Sequence, residues 1–109
     1  MTAVSQHPHF PKFDEDGLLV NSALWDEELA EDIAEQLHIL LGAEHWVVIY
    51  ALRNYYTRFG VAPAMTNICR ENGKHKLWIH DLFESCLNAW RVAGLSNPGE
   101  EAKSYLNDM

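Results

Sequence analysis

The sequence has few cysteines, few basic residues and no long apolar run, and each shortage excludes a class of protein. Cys69 and Cys86 are its two cysteines, too few for a disulfide framework or a four-ligand zinc site, and they fit thiols in a reducing compartment. No stretch approaches the ~20 apolar residues that cross a bilayer, and the N-terminus lacks a signal-peptide pattern. We therefore expect a cytoplasmic protein without membrane contact.

Basic residues are outnumbered by acidic ones, eight to sixteen, for a net charge of −8. This balance disfavours extensive nucleic-acid binding, which depends on accumulated lysine and arginine. The acidity belongs to the first half, because residues 1–44 carry ten acids against Lys12, whereas residues 45–109 carry seven bases against six acids. An apolar content of 48% with four each of Trp, Tyr and Phe predicts a single folded domain.

The chain divides into a leader, a domain and an arm. Residues 1–9 lack periodicity and are expected to be a flexible leader, residues 10–95 form the domain, and residues 96–109 form a C-terminal arm with a frayed turn or short helix. At the start of the domain, two short apolar runs, Phe10–Phe13 and Leu18–Val20, flank a polar turn that contains glycine. This pattern predicts a small β-hairpin.

The rest of the domain has helical periodicity. Asp26 is a candidate N-cap for a first helix with an apolar stripe and a solvated acidic face, and a second, heavily buried helix is expected over 43–59. A short third helix is expected over 63–71. A fourth helix is expected over 79–93 and ends at Gly94; the pattern leaves open whether this helix is continuous or broken.

Several short segments, taken in their order along the chain, resemble a known family. They are Asp16-Gly17, Trp25, Glu44-His45-Trp46, Leu52-Arg53-Asn54-Tyr55-Tyr56, Ala62-Pro63-Ala64, Leu82-Phe83 and Arg91-Val92-Ala93-Gly94-Leu95. Together they are similar to the DsrC/TusE family of sulfur-trafficking proteins over roughly residues 10–98. The resemblance implies a mainly α fold: a small orthogonal helical domain with an N-terminal β-hairpin, a helix-turn-helix-like element and a mobile C-terminal arm.

The arm of the family carries a penultimate cysteine that accepts and passes sulfur, and full DsrC proteins have a second cysteine about ten residues upstream. Aligned on the Ala93-Gly94-Leu95 segment, this chain has Trp90 at the upstream position and Glu101 near the arm position. Neither an indole nor a carboxylate replaces a sulfur nucleophile. The chain thus looks most similar to the family branch without carrier cysteines, which is thought to be regulatory.

The two cysteines present are candidate reactive thiols at other places. Cys86 lies on the apolar stripe of the last helix, which favours a buried structural role; sulfur acceptance there needs exposure and a nearby positive group such as Arg91. Cys69 lies close in sequence to basic residues but follows Ile68 on a short helix, and a structural role is again favoured. The relocated carrier remains the alternative.

Arg70, Lys74, His75 and Lys76 form the one basic cluster of the sequence. They are candidate contacts for a partner or for DNA phosphates, against the plainer interpretation of a solvated loop at a helix C-terminus.

Histidine spacing gives little support for a metal site, since His75 and His80 lie five apart and His7 and His9 two apart. We expect His45 to be a structural, hydrogen-bonded side chain, and no nucleophile triad, phosphate loop or paired-carboxylate site is present at credible spacing. We therefore expect no metal, no cofactor and no self-contained enzyme.

Three hypotheses follow from the sequence. The first is a noncatalytic member of the DsrC/TusE family that binds or regulates a sulfur-trafficking, sulfur-oxidation or sulfite-reductase-type partner without carrying sulfur on its arm. The second is a DNA-binding regulator that uses residues 63–76. The third is a sulfurtransferase whose carrier has moved to Cys86 or Cys69.

Overall fold

The computed structural model describes residues 11–108, and the regular elements of this range are helical. A 3-10 turn at Ser22–Leu24 precedes six α-helices. They are α1 (Glu27–Gln36), α2 (Ala43–Phe59), α3 (Met65–Glu71), α4 (Trp78–Phe83), α5 (Cys86–Val92) and α6 (Glu100–Asp108). Within the same residues no helix is long and apolar enough to cross a bilayer. The expected leader, residues 1–9, lies outside the described range.

The predicted N-terminal hairpin is replaced by a tight turn with one β-bridge, between Phe13 and Leu19. Two backbone hydrogen bonds flank the bridge, from Asp14 N to Leu18 O (2.8 Å) and from Val20 N to Lys12 O (2.9 Å). No strand forms in the described part of this region. The ladder stays short because Pro11 has no N–H to donate and because the chain enters the 3-10 turn soon after Val20.

The Asp14 side chain organises this turn. Its Oδ1 accepts hydrogen bonds from the backbone N–H groups of Asp16 (2.8 Å) and Leu18 (3.0 Å). Partial burial raises the pKa of Asp14, but these hydrogen bonds outweigh that effect, so that its pKa lies below the ordinary value. The turn is therefore built around an ionised carboxylate.

Helices α1 and α2 begin and end close to where local signals predict. Asp26 Oδ1 accepts from Leu29 N (2.8 Å) at the start of α1, and Gly60, with φ of +70°, ends α2. The face of α1 that packs on the domain consists of Leu29, Ala30, Ile33 and Ala34. Helix α2 is less buried than its composition suggests, because its fully buried residues are confined to Val48, Ile49 and Leu52.

The second half of the domain is more broken than the sequence indicates. Helix α3 begins at Met65 rather than at Pro63. The predicted fourth helix is two helices, because Glu84 adopts φ of +70° and Ser85 then accepts a hydrogen bond from Asn88 N (3.0 Å) as a new N-cap. Helix α5 contacts α1, α2, α4 and α6, and its Trp90 is fully buried in the core.

Trp25 joins the start of the domain to the end of α5. Its Nε1 donates to Val92 O (2.9 Å), and its ring lies beneath the Arg53 guanidinium, 4.1 Å from the ring centroid. Arg53 Nη1 in turn donates to Ala93 O (2.6 Å). Gly94 leaves room for the indole, since a Cβ built at Gly94 would lie 2.0 Å from Trp25 Cδ1. The last carbonyl groups of α5 thus accept hydrogen bonds from side chains of two distant segments.

Candidate functional site

The C-terminal arm, where the resemblance places a sulfur carrier, ends in a helix that packs on the domain. Leu106 of α6 is fully buried. Tyr105 Oη accepts a hydrogen bond from the backbone N–H of Met65 (3.1 Å). Lys103 Nζ lies 2.6 Å from Asp16 Oδ2 and 3.0 Å from Glu100 Oε2. Apolar contacts, a neutral hydrogen bond and ion pairs together thus hold the arm on the domain.

The two positions predicted to correspond to the family's cysteines differ in their surroundings. Trp90 is fully buried; its Nε1 donates to Ser96 O (2.9 Å), and its ring meets that of Tyr56 edge to face at 5.6 Å. Glu101 is exposed on the first turn of α6 and lines a cleft of about 500 Å³ against Val61 and its neighbours. Neither position holds a sulfur atom.

Both cysteine thiols are buried. Cys86 is 2% exposed and Cys69 is 1% exposed. Burial raises the pKa of Cys86 to about 12, with a smaller contribution from Cys69, so Cys86 is a protonated thiol near neutral pH. The Cys69 thiol donates a weak hydrogen bond to Lys76 O, with an Sγ–O distance of 3.6 Å.

The positive group that a reactive Cys86 requires is engaged elsewhere. Arg91 Nε donates to Asp16 O (2.8 Å), and its Nη1 donates to Asn88 Oδ1 (2.6 Å). These bonds direct the guanidinium toward the turn at Gly17. The arrangement buries a thiol in apolar surroundings instead of activating a thiolate.

The basic cluster lies on the surface at the end of α3, and its members have local partners. Arg70 hydrogen-bonds to Asn67. Lys74 lies 3.9 Å from Glu44 and 5.5 Å from the Trp78 ring centroid. His75 Nδ1 accepts a hydrogen bond from Leu77 N (3.2 Å). Lys76 is exposed, and its carbonyl accepts the Cys69 thiol.

Residues 63–76, where a helix-turn-helix-like element was expected, contain α3, and α4 follows them. These helices have seven and six residues, and Asp81 lies in the first turn of α4. With Glu44 beside Lys74, the described surface here mixes both signs of charge. It gives no support to a DNA-reading helix, which depends on positive charge facing the phosphates.

His45 makes hydrogen bonds through both ring nitrogens. Its Nδ1 accepts from Gly42 N (3.1 Å), which requires the proton to be on Nε2, and Nε2 donates to Leu82 O (2.9 Å). The ring also packs on Phe83 at 5.0 Å. His45 therefore joins the start of α2 to the end of α4. Among residues 11–108, no three metal-ligating side chains come together; His7 and His9 lie outside that range.

Sequence reasoning missed the contacts between the arm and the N-terminal turn. Asp16 and Lys103 are 87 residues apart, and the sequence contains no local signal that pairs them. A cavity of about 570 Å³ between α1 and the turn is also not visible in the sequence. Its lining is mainly apolar, with Phe13 and Ile33, and Arg91 is among its polar groups. Only the folded chain brings these residues together.

Comparison with known proteins identifies the family. A family model described as DsrC like protein matches residues 8–100. The chain belongs to this family. Over 94 residues it is 33% identical to the sulfurtransferase TusE of Buchnera aphidicola, covering 78% of this chain and 82% of the relative. It is 34% identical to TusE of Escherichia coli K12, covering 78% and 86%.

Solved structures of DsrC proteins share the fold. The oxidized gamma-subunit of the dissimilatory sulfite reductase from Archaeoglobus fulgidus is similar with a TM-score of 0.75 and 33% identity, covering 83% of this chain and 90% of that one. DsrC of Allochromatium vinosum is similar with a TM-score of 0.69 and 29% identity, covering 83% and 88%. Most of α6 follows the segment that the family model matches.

Proposed function

We propose that this DsrC-family protein binds and regulates a sulfur-trafficking or sulfite-reductase-type partner, and that it does so without carrying sulfur on residues 96–109. The observation that carries the proposal is the chemistry at the aligned carrier position. Glu101 stands there, on a helix that Leu106 and Lys103 anchor to the domain. A scaffold that keeps the family fold but lacks the carrier atom retains binding and loses transfer.

The chemistry of sulfur transfer supports this reading. Transfer begins when a thiolate attacks the outer sulfur of a donor persulfide, and the donor's own thiolate leaves. The Glu101 carboxylate and the Trp90 indole have no sulfur on which a persulfide forms. Cys86 has a sulfur, but its pKa of about 12 and its burial keep it protonated and shielded from a donor protein.

The names of the relatives support the class of partner. TusE proteins are sulfurtransferases, and the Archaeoglobus fulgidus relative is the gamma-subunit of a dissimilatory sulfite reductase. The first name describes the transfer of sulfur, and the second describes one subunit of a sulfite-reducing enzyme. We propose that this chain binds the same class of partner but does not carry out the transfer step.

A second candidate function is a sulfur carrier that uses Cys86 or Cys69, and the sulfurtransferase names of the relatives favour it. It requires an opening motion that exposes α5 or α3 before a donor reaches either thiol. Sulfur loading therefore distinguishes the two candidates.

The loading experiment incubates the reduced protein with a low-molecular-weight persulfide and measures the intact mass and peptide masses. Escherichia coli TusE is the positive control, and Glu101→Cys is the matched variant, since it restores a thiol at an exposed position of this chain. We expect the native protein to stay unmodified and the variant to gain sulfur. Stoichiometric sulfur on Cys86 or Cys69 of the native protein replaces the proposal with the second candidate.

The binding experiment tests the partner class separately. The native protein is immobilised, and dissimilatory sulfite reductase and the sulfur donor of TusE are passed over it. We expect saturable binding of one of them. If neither binds under conditions in which the cysteine-bearing relative does, the proposal is abandoned.

A further inference from the structure

The cavity between α1 and the N-terminal turn has the size and the lining of a small-molecule site. Its volume is about 570 Å³, within the range of roughly 300 to 1,000 Å³ that holds small organic ligands. Apolar side chains from both elements line it: Pro11 and Phe13 at the start of the turn, and Leu29, Ile33 and Leu37 of α1. Such a lining favours an apolar molecule, because burying apolar surface away from water is favourable.

Contacts within the protein fix the position of both sides of the cavity. Phe13 is held by its β-bridge to Leu19, and Arg91 Nε ties the turn to α5 by donating to Asp16 O (2.8 Å). On the opposite side, Ile33 is 7% exposed and belongs to the hydrophobic core. The cavity is therefore preformed, and a ligand that enters it has few groups to order.

The polar part of the lining includes a guanidinium group with unused donors. Arg91 Nε donates to Asp16 O, and Nη1 donates to Asn88 Oδ1 (2.6 Å). Its third nitrogen, Nη2, makes no hydrogen bond to any residue of the described range 11–108. A guanidinium keeps its charge and carries N–H donors on all three nitrogens. A ligand with an acceptor oxygen thus supplies a bond that the described residues do not.

The charges around the cavity balance one another. The carboxylate of Asp16 is paired with Lys103 of the arm, with 2.6 Å between Oδ2 and Nζ. The remaining charged groups of the described lining are Asp32 and Arg91, one of each sign. A charged ligand of either sign meets one like charge here and also loses its hydration on entering the cavity. The balance therefore favours an uncharged ligand.

We propose that this cavity binds a small, uncharged, mainly apolar organic molecule whose acceptor oxygen takes a hydrogen bond from Arg91. The apolar lining selects the body of the molecule, and the guanidinium selects the oxygen. The site is separate from the binding of a sulfur partner, so its test does not depend on the proposed function. Asp16 lines the cavity and also holds Lys103, so the site adjoins the anchor of the arm.

The first test compares probes that share one bicyclic skeleton. Indanone is a neutral ketone, indane carboxylate is an anion, and aminoindane is a cation at neutral pH. Each probe is titrated into the full chain, and NMR shifts of the methyl groups of Leu29, Ile33 and Leu37 report occupancy. We expect saturable shifts with indanone and affinities about tenfold lower for both charged probes. No saturable shift with indanone, tighter binding of a charged probe, or shifts centred on other methyl groups overturns the inference.

The second test concerns Arg91. Arg91→Lys keeps the positive charge but removes Nη2. We expect this variant to bind indanone about tenfold more weakly and to bind indane, the hydrocarbon without an acceptor, with an affinity changed by less than about twofold. An equal loss for both probes overturns the role of Arg91. In the native protein, the side-chain N–H signals of Arg91 should shift with indanone and not with indane, a measurement that needs no variant.

The third test locates the site with two neutral substitutions. Gln36 is an exposed lining residue at the end of α1, whereas Leu40 is 91% exposed and lies outside the described lining. Gln36→Trp places an indole at the cavity, and Leu40→Trp places one further along the chain. We expect Gln36→Trp to weaken indanone binding about tenfold and Leu40→Trp to change it less than about twofold. Equal affinities of the two variants overturn the location, and unfolding curves confirm that both are folded.

Discussion

Replacing Gly94 by alanine tests how the end of α5 is closed. The residue has φ of +69°, and the added Cβ would lie 2.0, 2.6 and 2.9 Å from three atoms of the Trp25 side chain. Gly60 provides a matched control, because it ends α2 with φ of +70° and has no atom within 4 Å of an added Cβ. Both substitutions place an alanine at a positive φ, and only Gly94→Ala also brings the new Cβ against Trp25.

The magnitude follows from these contacts. An alanine in the left-handed region costs about 1 to 2 kcal/mol, and this applies to both variants. In Gly94→Ala the indole must also move, which adds about 1 to 3 kcal/mol of overpacking. Part of that cost is the weakened hydrogen bond from Trp25 to Val92 O and the disturbed stacking of Arg53. We expect Gly94→Ala to be less stable than Gly60→Ala by about 2 kcal/mol.

Urea unfolding followed by circular dichroism measures this difference. With a slope of about 2 kcal/mol per molar urea for a small domain, the two midpoints should lie about 1 M apart. A double-mutant cycle with Trp25→Ala adds a control, since removal of the indole should abolish most of the extra cost of Gly94→Ala. Equal midpoints for the two alanine variants, or additive effects in the cycle, would refute the reasoning.

Three further predictions concern the thiols, the arm and the turn. Cys86 and Cys69 should react slowly with a thiol reagent in the native state and at once in denaturant, because both are buried; fast native labelling contradicts this. Leu106→Ala should cost about 2 to 4 kcal/mol and speed proteolysis near Pro98, whereas the exposed Asn107→Ala should do neither. Because the folded pKa of Asp14 is lowered, its stabilising effect is complete above the ordinary value and is lost as pH falls through the folded pKa. In Asp14→Asn, the free energy of unfolding should therefore fall less steeply as the pH is lowered. If it falls as steeply as in the native protein, other groups cause the pH dependence.

Local signals in the sequence determined the start of α1, the ends of α2 and α5, and the family. Asp26 caps α1, Gly60 ends α2 and Gly94 ends α5. These effects can be predicted from the sequence because each acts within one turn of the chain. The family was predicted for the same reason, since short motifs in a fixed order need no coordinates. The absence of a cysteine at the aligned carrier position is likewise visible in the printed residues.

Tertiary structure decided how these elements pack. Lys103 and Asp16 meet across 87 residues, and Trp25 fits against Gly94 because distant segments pack there. The hairpin was overestimated because strand pairing depends on donors that Pro11 lacks. The exposure of Tyr50 and Val47 was hidden because an aromatic-rich helix looks buried from composition alone. Burial, pairing and exposure depend on neighbours that only the folded chain supplies.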